Sequence, residues 1–189
     1  MVSFEKRLVL GPEVSRDDVE DLAWDLDWNI HELGEEEAGA RIDIWRTDDG
    51  KTEIHRVEDR PIGLTYLTLR GAAVTMTEQQ VRSVLRVWAQ SDALVALHDA
   101  DGRDERLRGL YALALTADDL RDGAVVNEFR AAASDPDPGI RQAVVVAAGY
   151  RPDPALVELV EELRESDPVS FVRENADILL KGIRLHGGE

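Results

Sequence analysis

Two tryptophans four residues apart, Trp24 and Trp28, lie in a short segment rich in carboxylates. The sequence from Ser15 onward predicts a helix that runs to about residue 28 or 30, with Ser15 as its N-cap. At 100° per residue, one stripe of this helix is apolar and forms its natural core face: Val19, Leu22, Ala23, Leu26 and Ile30. The two tryptophans fall on the opposite side, among the carboxylates of Asp17, Asp21 and Asp25.

Tryptophan side chains on an outward acidic face are costly to leave in water, so something should cover them. Two interpretations stay open at this stage. Either the C-terminal half of the chain packs over Trp24 and Trp28, or they anchor a partner protein that the carboxylates attract. The acidic run at 35–37 extends the negative field of this region, although alone it is typical of a solvated loop.

Other residue types give little support for catalysis. None of the four histidines has the i, i+4 spacing of two metal ligands on one helix face. The acidic loop at 98–105 lacks the spacing of an EF-hand, and no glycine-rich phosphate loop or Gly-x-Ser-x-Gly elbow is found. The chain has no cysteine, which excludes disulfides and thiolate chemistry. We therefore predict no catalytic residue, no cofactor and no metal site.

The charge of the chain narrows the choice of partners. Its 189 residues carry 22 Lys and Arg against 39 Asp and Glu, a formal net charge of −17. Such a surface repels phosphate backbones and attracts cations, so we expect a protein partner, basic in character, and neither direct nucleic-acid binding nor a membrane. The first residues do not have the pattern of a secretory signal, and we expect a cytoplasmic protein.

The sequence pattern changes near residue 76. Before it, strand-like stretches at 4–10, 40–46, 51–57 and 63–69 flank the predicted helix, which gives the order β-α-β-β-β. After it the pattern is helical, beginning with an apparent capping box at Thr77 and Gln80. We therefore predict an α+β fold class with two domains, a small α+β domain at 1–76 and an all-α domain at 77–189.

The helical half contains an internal repeat. Asp135-Pro136 and Asp167-Pro168 are each followed by an aliphatic-arginine pair that ends in Arg141 or Arg173, in register 32 residues apart. The aspartate suits a helix cap, and the arginine at the helix edge can bond acids or carbonyls of the neighbouring turn. A weaker copy, without the Asp-Pro, is centred on residues 107–108.

This pattern resembles HEAT-type helical repeats over about residues 101–183, with Asp135, Arg141, Asp167 and Arg173 as its structural residues. The resemblance implies a stacked α-α superhelix used mainly for protein binding. An ordinary antiparallel helical bundle remains the alternative.

The leading functional hypothesis is a non-enzymatic interaction protein that binds through its acidic surface. A specific version is an immunity or inhibitor protein that blocks a basic toxin. The alternative is an enzyme or enzyme accessory, similar to chromophore lyases, with a pocket between the halves near His55, Tyr66, Arg141 and Tyr150. A third hypothesis is a structural subunit of a larger assembly.

Overall fold

A computed structural model describes residues 4–37, 39–117 and 123–186 and divides the chain into two compact units, Met1–Ala89 and Gln90–Glu189. The first unit consists of β1 (Phe4–Val9), α1 (Arg16–Asp25), β2 (Asn29–Glu37), β3 (Ala40–Arg46), β4 (Thr52–Asp59), β5 (Leu64–Gly71) and α2 (Val74–Val84). The second consists of α3 (Gln90–His98), α4 (Arg103–Thr116), α5 (Gly123–Ala133), α6 (Pro138–Tyr150), α7 (Pro154–Ser166) and α8 (Ser170–His186). The α+β class is confirmed.

The first unit is built on one antiparallel sheet in the strand order β1-β5-β4-β3-β2. Since β1 and β2 occupy opposite edges, α1 crosses the sheet between them. Directly paired residues share a face, and the pairs Leu8 with Leu67, Ile54 with Leu69 and Trp45 with Ile54 place apolar side chains on one face. These side chains form the core of the unit together with Val19 and Leu22 of α1 and Val81 of α2.

The sheet has one strand more than the sequence predicts. Strand β2 includes both the end of the predicted helix and the acidic run that reads as a loop. Its pairing with β3 is irregular between Ile30 and Glu32 and again between Leu33 and Glu36. These irregularities interrupt the strict alternation by which a strand is recognised in a sequence.

The strand-to-helix transition also differs from its prediction. Helix α2 begins at Val74 with Ala73 at its N-cap, which makes no side-chain cap, and Thr77 lies inside the helix. The Thr77 side chain is fully buried, and its hydroxyl donates a hydrogen bond of 3.2 Å to the carbonyl of Ala73. Helix α2 contacts β1 and β5, and the first unit extends to Ala89.

The second unit is a stack of three helix pairs, α3 with α4, α5 with α6 and α7 with α8. Helix α6 contacts both α4 and α8, and α5 contacts α7, so the pairs are stacked in two layers. Alanines allow the helices of the stack to approach closely, and Ala143, Ala147, Ala148 and Ala176 are all buried completely. Among the described helices of the chain, none has the length and apolar composition required to cross a membrane.

Candidate functional site

Helix α1 begins at the predicted residue. Ser15 is its N-cap, and the Ser15 hydroxyl accepts a hydrogen bond of 3.2 Å from the backbone N–H of Asp18. In return, the Asp18 carboxylate accepts from the backbone N–H and the hydroxyl of Ser15 at 2.7 and 2.6 Å. These hydrogen bonds lower the pKa of Asp18 and complete a capping box that fixes the start of the helix.

The end of α1 separates the two tryptophans. Asp27 adopts a left-handed backbone conformation with φ of 52°, and the N–H groups of Asp27 and Trp28 donate to the carbonyls of Trp24 and Ala23 at 3.2 and 2.8 Å. This pair of bonds is a Schellman motif, which ends a helix and redirects the chain. Trp28 therefore does not continue the helix. Its side chain is 7% exposed and belongs to the core of the first unit, so the expectation that it lies outward is wrong.

Trp24, by contrast, stays on the outward side of α1 and is 83% exposed. Two residues of β2, Ile30 and Leu33, are also largely exposed, at 66% and 49%. Their pairing with Trp45 and Asp43 of β3 places them on the same sheet face as α1. Trp24, Ile30 and Leu33 thus form a contiguous apolar patch where the first helix borders the edge strand.

A cleft of about 330 Å³ opens within this patch. We call it the α1–β2 cleft, and it is lined by Glu20, Asp21, Ala23, Trp24, Trp28, Ile30, Leu33 and Trp45. The buried tryptophans Trp28 and Trp45 contribute apolar lining, while Glu20 and Asp21 add carboxylates. A second cleft, of about 450 Å³, includes Trp24 and Trp28 in its lining and adds the carboxylates of Asp27 and Asp48.

The carboxylates of Asp17, Asp21 and Asp25 are exposed, and no hydrogen bond or ion pair engages their side chains within the described residues. Arg16, the single basic residue of α1, pairs with Glu20 at 2.9 Å and with Asp43 of the sheet rather than with these three aspartates. Asp25 lies in the last turn, where the negative end of the helix dipole disfavours a carboxylate. Asp17, Asp21 and Asp25 therefore carry negative charge that no base in the described part of the chain offsets.

Arg16 instead ties α1 to the sheet. Its Nε and Nη2 donate to the two oxygens of the Asp43 carboxylate at 3.0 and 3.3 Å. Asp43 is fully buried, and the guanidinium groups of Arg41 and Arg56 lie within 3.5 and 3.6 Å of it. Of these three arginines only Arg16 belongs to α1, so its two hydrogen bonds to Asp43 tie the helix to β3.

In the second unit, the predicted repeat residues meet at the turns before α6 and α8. Arg141 donates through Nε and Nη2 to the Asp167 carboxylate at 2.6 and 3.0 Å, and through Nη1 to the carbonyls of Asp135 and Pro136. Arg173 donates to the carbonyl of Asp167. Each arginine thus bonds the carbonyl six residues before it, so the two copies of the repeat share this contact.

The carboxylates of these turns also accept hydrogen bonds from arginines or backbone N–H groups. Asp135 accepts from Arg106 at 2.7 Å, and Asp137 accepts from Arg103 at 2.6 Å and from the N–H of Gly139 at 2.7 Å. Asp137, rather than Asp135, is the N-cap of α6. Hydrogen bonds lower the pKa of both Asp137 and Asp167, the main contributors being the N–H of Gly139 and the guanidinium of Arg141, respectively.

Among the residues considered for a pocket, His55 and Tyr66 lie on the adjacent strands β4 and β5 of the first unit, and Arg141 and Tyr150 lie on α6 of the second. His55 on β4 lies 3.2 Å from Glu53, and burial raises the pKa of the β5 residue Tyr66 to about 12. The 98–105 loop precedes and enters α4, and the Glu105 carboxylate accepts from the backbone N–H of Asp101 at 2.9 Å. Across the described residues, no group of three or more His, Asp or Glu side chains is arranged to hold a metal ion.

The stacked antiparallel helix pairs of the second unit define an α-α superhelical repeat. The family model for HEAT repeats matches residues 91–181, which lie in this helical stack, and we therefore call the second unit the HEAT-repeat unit. No curated protein and no solved structure shows significant similarity to the chain.

Of the residues proposed from the sequence, Trp24, Trp28 and Asp21 line the α1–β2 cleft, whereas Asp17 and Asp25 are not part of its lining. The sequence did not indicate Ile30 and Leu33. The reason is that strand β2 was not predicted. With Ile30 assigned to the helix, its side chain was expected in the core and not beside Trp24. Locally, the sequence indicates the end of the helix only through the residue type of Asp27. Aspartate is among the few non-glycine residues that tolerate the left-handed conformation found there.

Proposed function

We propose that this protein is a non-enzymatic interaction module whose first unit binds a basic protein through the α1–β2 cleft. The observation that carries the proposal is the exposure of Trp24, 83%, at an apolar cleft whose lining includes the carboxylates of Glu20 and Asp21. An aromatic anchor within a charged rim is typical of the residues that dominate binding energy at protein interfaces.

The charge distribution favours a cationic partner. Asp17, Asp21 and Asp25 have no base to offset them within the described residues, and Asp25 lies at the unfavourable end of the helix dipole. Such an arrangement costs the free protein stability without an evident structural gain, which is expected where the charges serve recognition. A basic partner supplies the cations that the fold does not.

The apolar part of the site favours a partner that inserts side chains. The cleft volume of about 330 Å³ is at the lower end of the range for ligand pockets and accepts a few apolar groups rather than a large cofactor. The ligand that fits best is therefore a basic surface segment with one or two apolar side chains.

A narrower form of the proposal is an immunity or inhibitor protein for a basic toxin, such as a nuclease. The carboxylates of α1 would occupy positions that substrate phosphates take on the toxin, and a chain with net charge −17 is attracted quickly to a cationic protein. This form predicts one-to-one binding that weakens as salt is added.

The HEAT-repeat unit supports the same general function. HEAT repeats serve mainly as protein-interaction modules, because a stack of helix pairs presents an extended surface. The two units together suit an adaptor that engages protein partners.

Isothermal titration calorimetry with a synthetic amphipathic helix of leucine and lysine tests the site. We expect the wild-type protein to bind this peptide at low salt and to bind a version with glutamate in place of lysine far more weakly. The double substitution Trp24→Ala with Asp21→Asn should weaken binding by at least about tenfold, a change of roughly 1.4 kcal/mol.

The matched control removes an equal charge and an exposed apolar side chain at other places in the chain. Met76, 53% exposed on α2, and Asp104, exposed in the first turn of α4, supply it as Met76→Ala with Asp104→Asn. Equal loss in both double variants, or no loss in either, would show that binding is a general property of the acidic surface and not of the cleft.

A further inference from the structure

Helix α8 carries a stripe of exposed apolar side chains that is separate from the α1–β2 cleft. Phe171, Ile178 and Leu185 are 44%, 67% and 78% exposed and follow one another at intervals of seven residues. Seven residues make about two helical turns, so the three side chains lie along one face. Val172 and Leu180, on the other side of α8, are buried within the second unit.

We propose that two copies of this protein associate through α8, with the two helices antiparallel and crossing at Ile178. In this arrangement, a residue located before Ile178 faces the residue equally far after it on the second copy. Phe171 then lies opposite Leu185 of the second copy, and Ile178 packs against its own equivalent. The stripe is therefore apolar and complementary to itself.

The charges on α8 support self-association rather than a basic partner. Along one flank of the stripe, Glu174 and Asp177 precede Ile178 and Lys181 follows it, so antiparallel pairing brings Lys181 of one copy between the two acids of the other. Lys181 is 68% exposed and pairs with Asp177 at 2.6 Å within one copy, which leaves room for a second carboxylate. The remaining flank, at Asn175 and Gly182, is uncharged.

Gly182 adds a steric argument. A Cβ atom placed on this glycine meets no atom within 4 Å, so nothing inside the described part of the chain requires a glycine there. Glycine in a helix interior is less favourable than alanine, so its presence there has a cost to helix stability. Absence of a side chain one turn from Ile178 permits the backbone of another helix to come close.

The size of the contact predicts a weak dimer. Helix α8 has 17 residues and is therefore about 25 Å long. One helix from each copy, with three apolar layers, buries less than the roughly 1,200 Å² of a standard stable interface. The dimer should form only at high protein concentration.

Sedimentation velocity of the full chain over a wide concentration range tests this proposal. We expect a shift from monomer to dimer in the wild-type protein. Ile178→Glu, which places two carboxylates opposite each other, should raise the dissociation constant by more than about a hundredfold. Val95→Glu on α3, where Val95 is 58% exposed, is the matched control and should leave the dimer unchanged.

Reversing the charges of Glu174 and Lys181, singly and together, separates a loss of dimer contacts from a general loss of folding. Glu174→Lys and Lys181→Glu should each weaken the dimer by about fivefold, because two symmetric ion pairs are lost. The double variant should recover most of the affinity.

Ile178→Ala removes the apolar contact without a new charge and keeps the test usable if Ile178→Glu unfolds. A monomer at all concentrations, a dimer that resists Ile178 substitution, or a double variant without recovery would overturn the proposal.

Discussion

Carboxylates have opposite surroundings at the turns before α6 and α8 and on the outward side of α1. At the turns before α6 and α8, three aspartates are engaged: Asp135 by Arg106, Asp137 by Arg103 and Asp167 by Arg141. On α1, the aspartates at 17, 21 and 25 have no such partner within the described residues, and the nearby arginine binds the buried Asp43. The same residue type thus stabilises the fold in one region and charges a surface in the other.

The difference shows why net charge alone does not locate a binding site. Carboxylates that hold turns together are already neutralised and contribute little to an outside partner. The unengaged acids of α1, beside an exposed tryptophan, are the ones that can gain from a cation. Substitutions of equivalent residues in the two regions should therefore have different consequences.

The largest effect is expected at Asp167. Asp167→Ala leaves the buried Arg141 guanidinium without its carboxylate, which should lower the free energy of unfolding of the second unit by about 3 to 5 kcal/mol. Urea unfolding followed by far-UV circular dichroism measures this loss, since most helices belong to that unit. All four tryptophans lie before residue 90, so tryptophan fluorescence reports the first unit separately.

The comparison variant is Asp21→Asn on α1. It should leave both unfolding transitions nearly unchanged, because no described group depends on that carboxylate. An equal loss of stability in Asp21→Asn would contradict the division between structural and surface acids.

An effect of intermediate size is expected on the way the stability of the second unit depends on pH. Arg141 holds the pKa of Asp167 below its usual value of 3.8, so the ionised carboxylate stabilises the folded state more than the unfolded one. This contribution is complete at pH values above the unfolded pKa and is lost as the pH falls through the lower, folded pKa. The stability difference between wild type and Asp167→Asn should therefore shrink as the solution is acidified below about pH 4. A constant difference over that range would show that the carboxylate does not act through its charge.

The smallest effect is expected at the C-terminal end of α1. Asp25→Asn removes a negative charge from the last turn, where the helix dipole opposes it, and should stabilise the first unit by a few tenths of a kcal/mol. The same variant should weaken binding of the leucine-lysine peptide. Fluorescence-detected urea unfolding and calorimetry measure the two changes, and a gain in both stability and affinity would argue against a recognition role for Asp25.

The sequence was sufficient to predict the HEAT-repeat half because its signal is repeated. Asp135-Pro136 with Arg141 and Asp167-Pro168 with Arg173 have the same spacing, and two copies in register are more informative than either motif alone. The α+β class followed from the change of pattern near residue 76, since alternation and helical periodicity differ clearly over long stretches.

The candidate site was predicted less well because its geometry depends on irregular backbone. Helix α1 ends at a left-handed Asp27 instead of a glycine, so the spacing of Trp24 and Trp28 reads as one more helical turn. The pairing of strand β2 is irregular at two places, which interrupts the alternation of apolar and polar residues. For this reason Ile30 and Leu33 were not recognised as strand residues at the site. Neither feature has a strong sequence signature, although both decide which side chains reach the surface.

The irregular pairing of β2 also affects how the protein behaves when concentrated. A Cβ on Gly34 would lie 2.1 Å from the carbonyl oxygen of Ile42, so the chain approaches its neighbour there in a way that only glycine allows. The resulting bulged outer strand, which ends in glutamates, is a poor template for strands of other molecules. An apolar cleft can thus remain open beside a sheet edge without starting the intermolecular strand pairing that leads to fibrils.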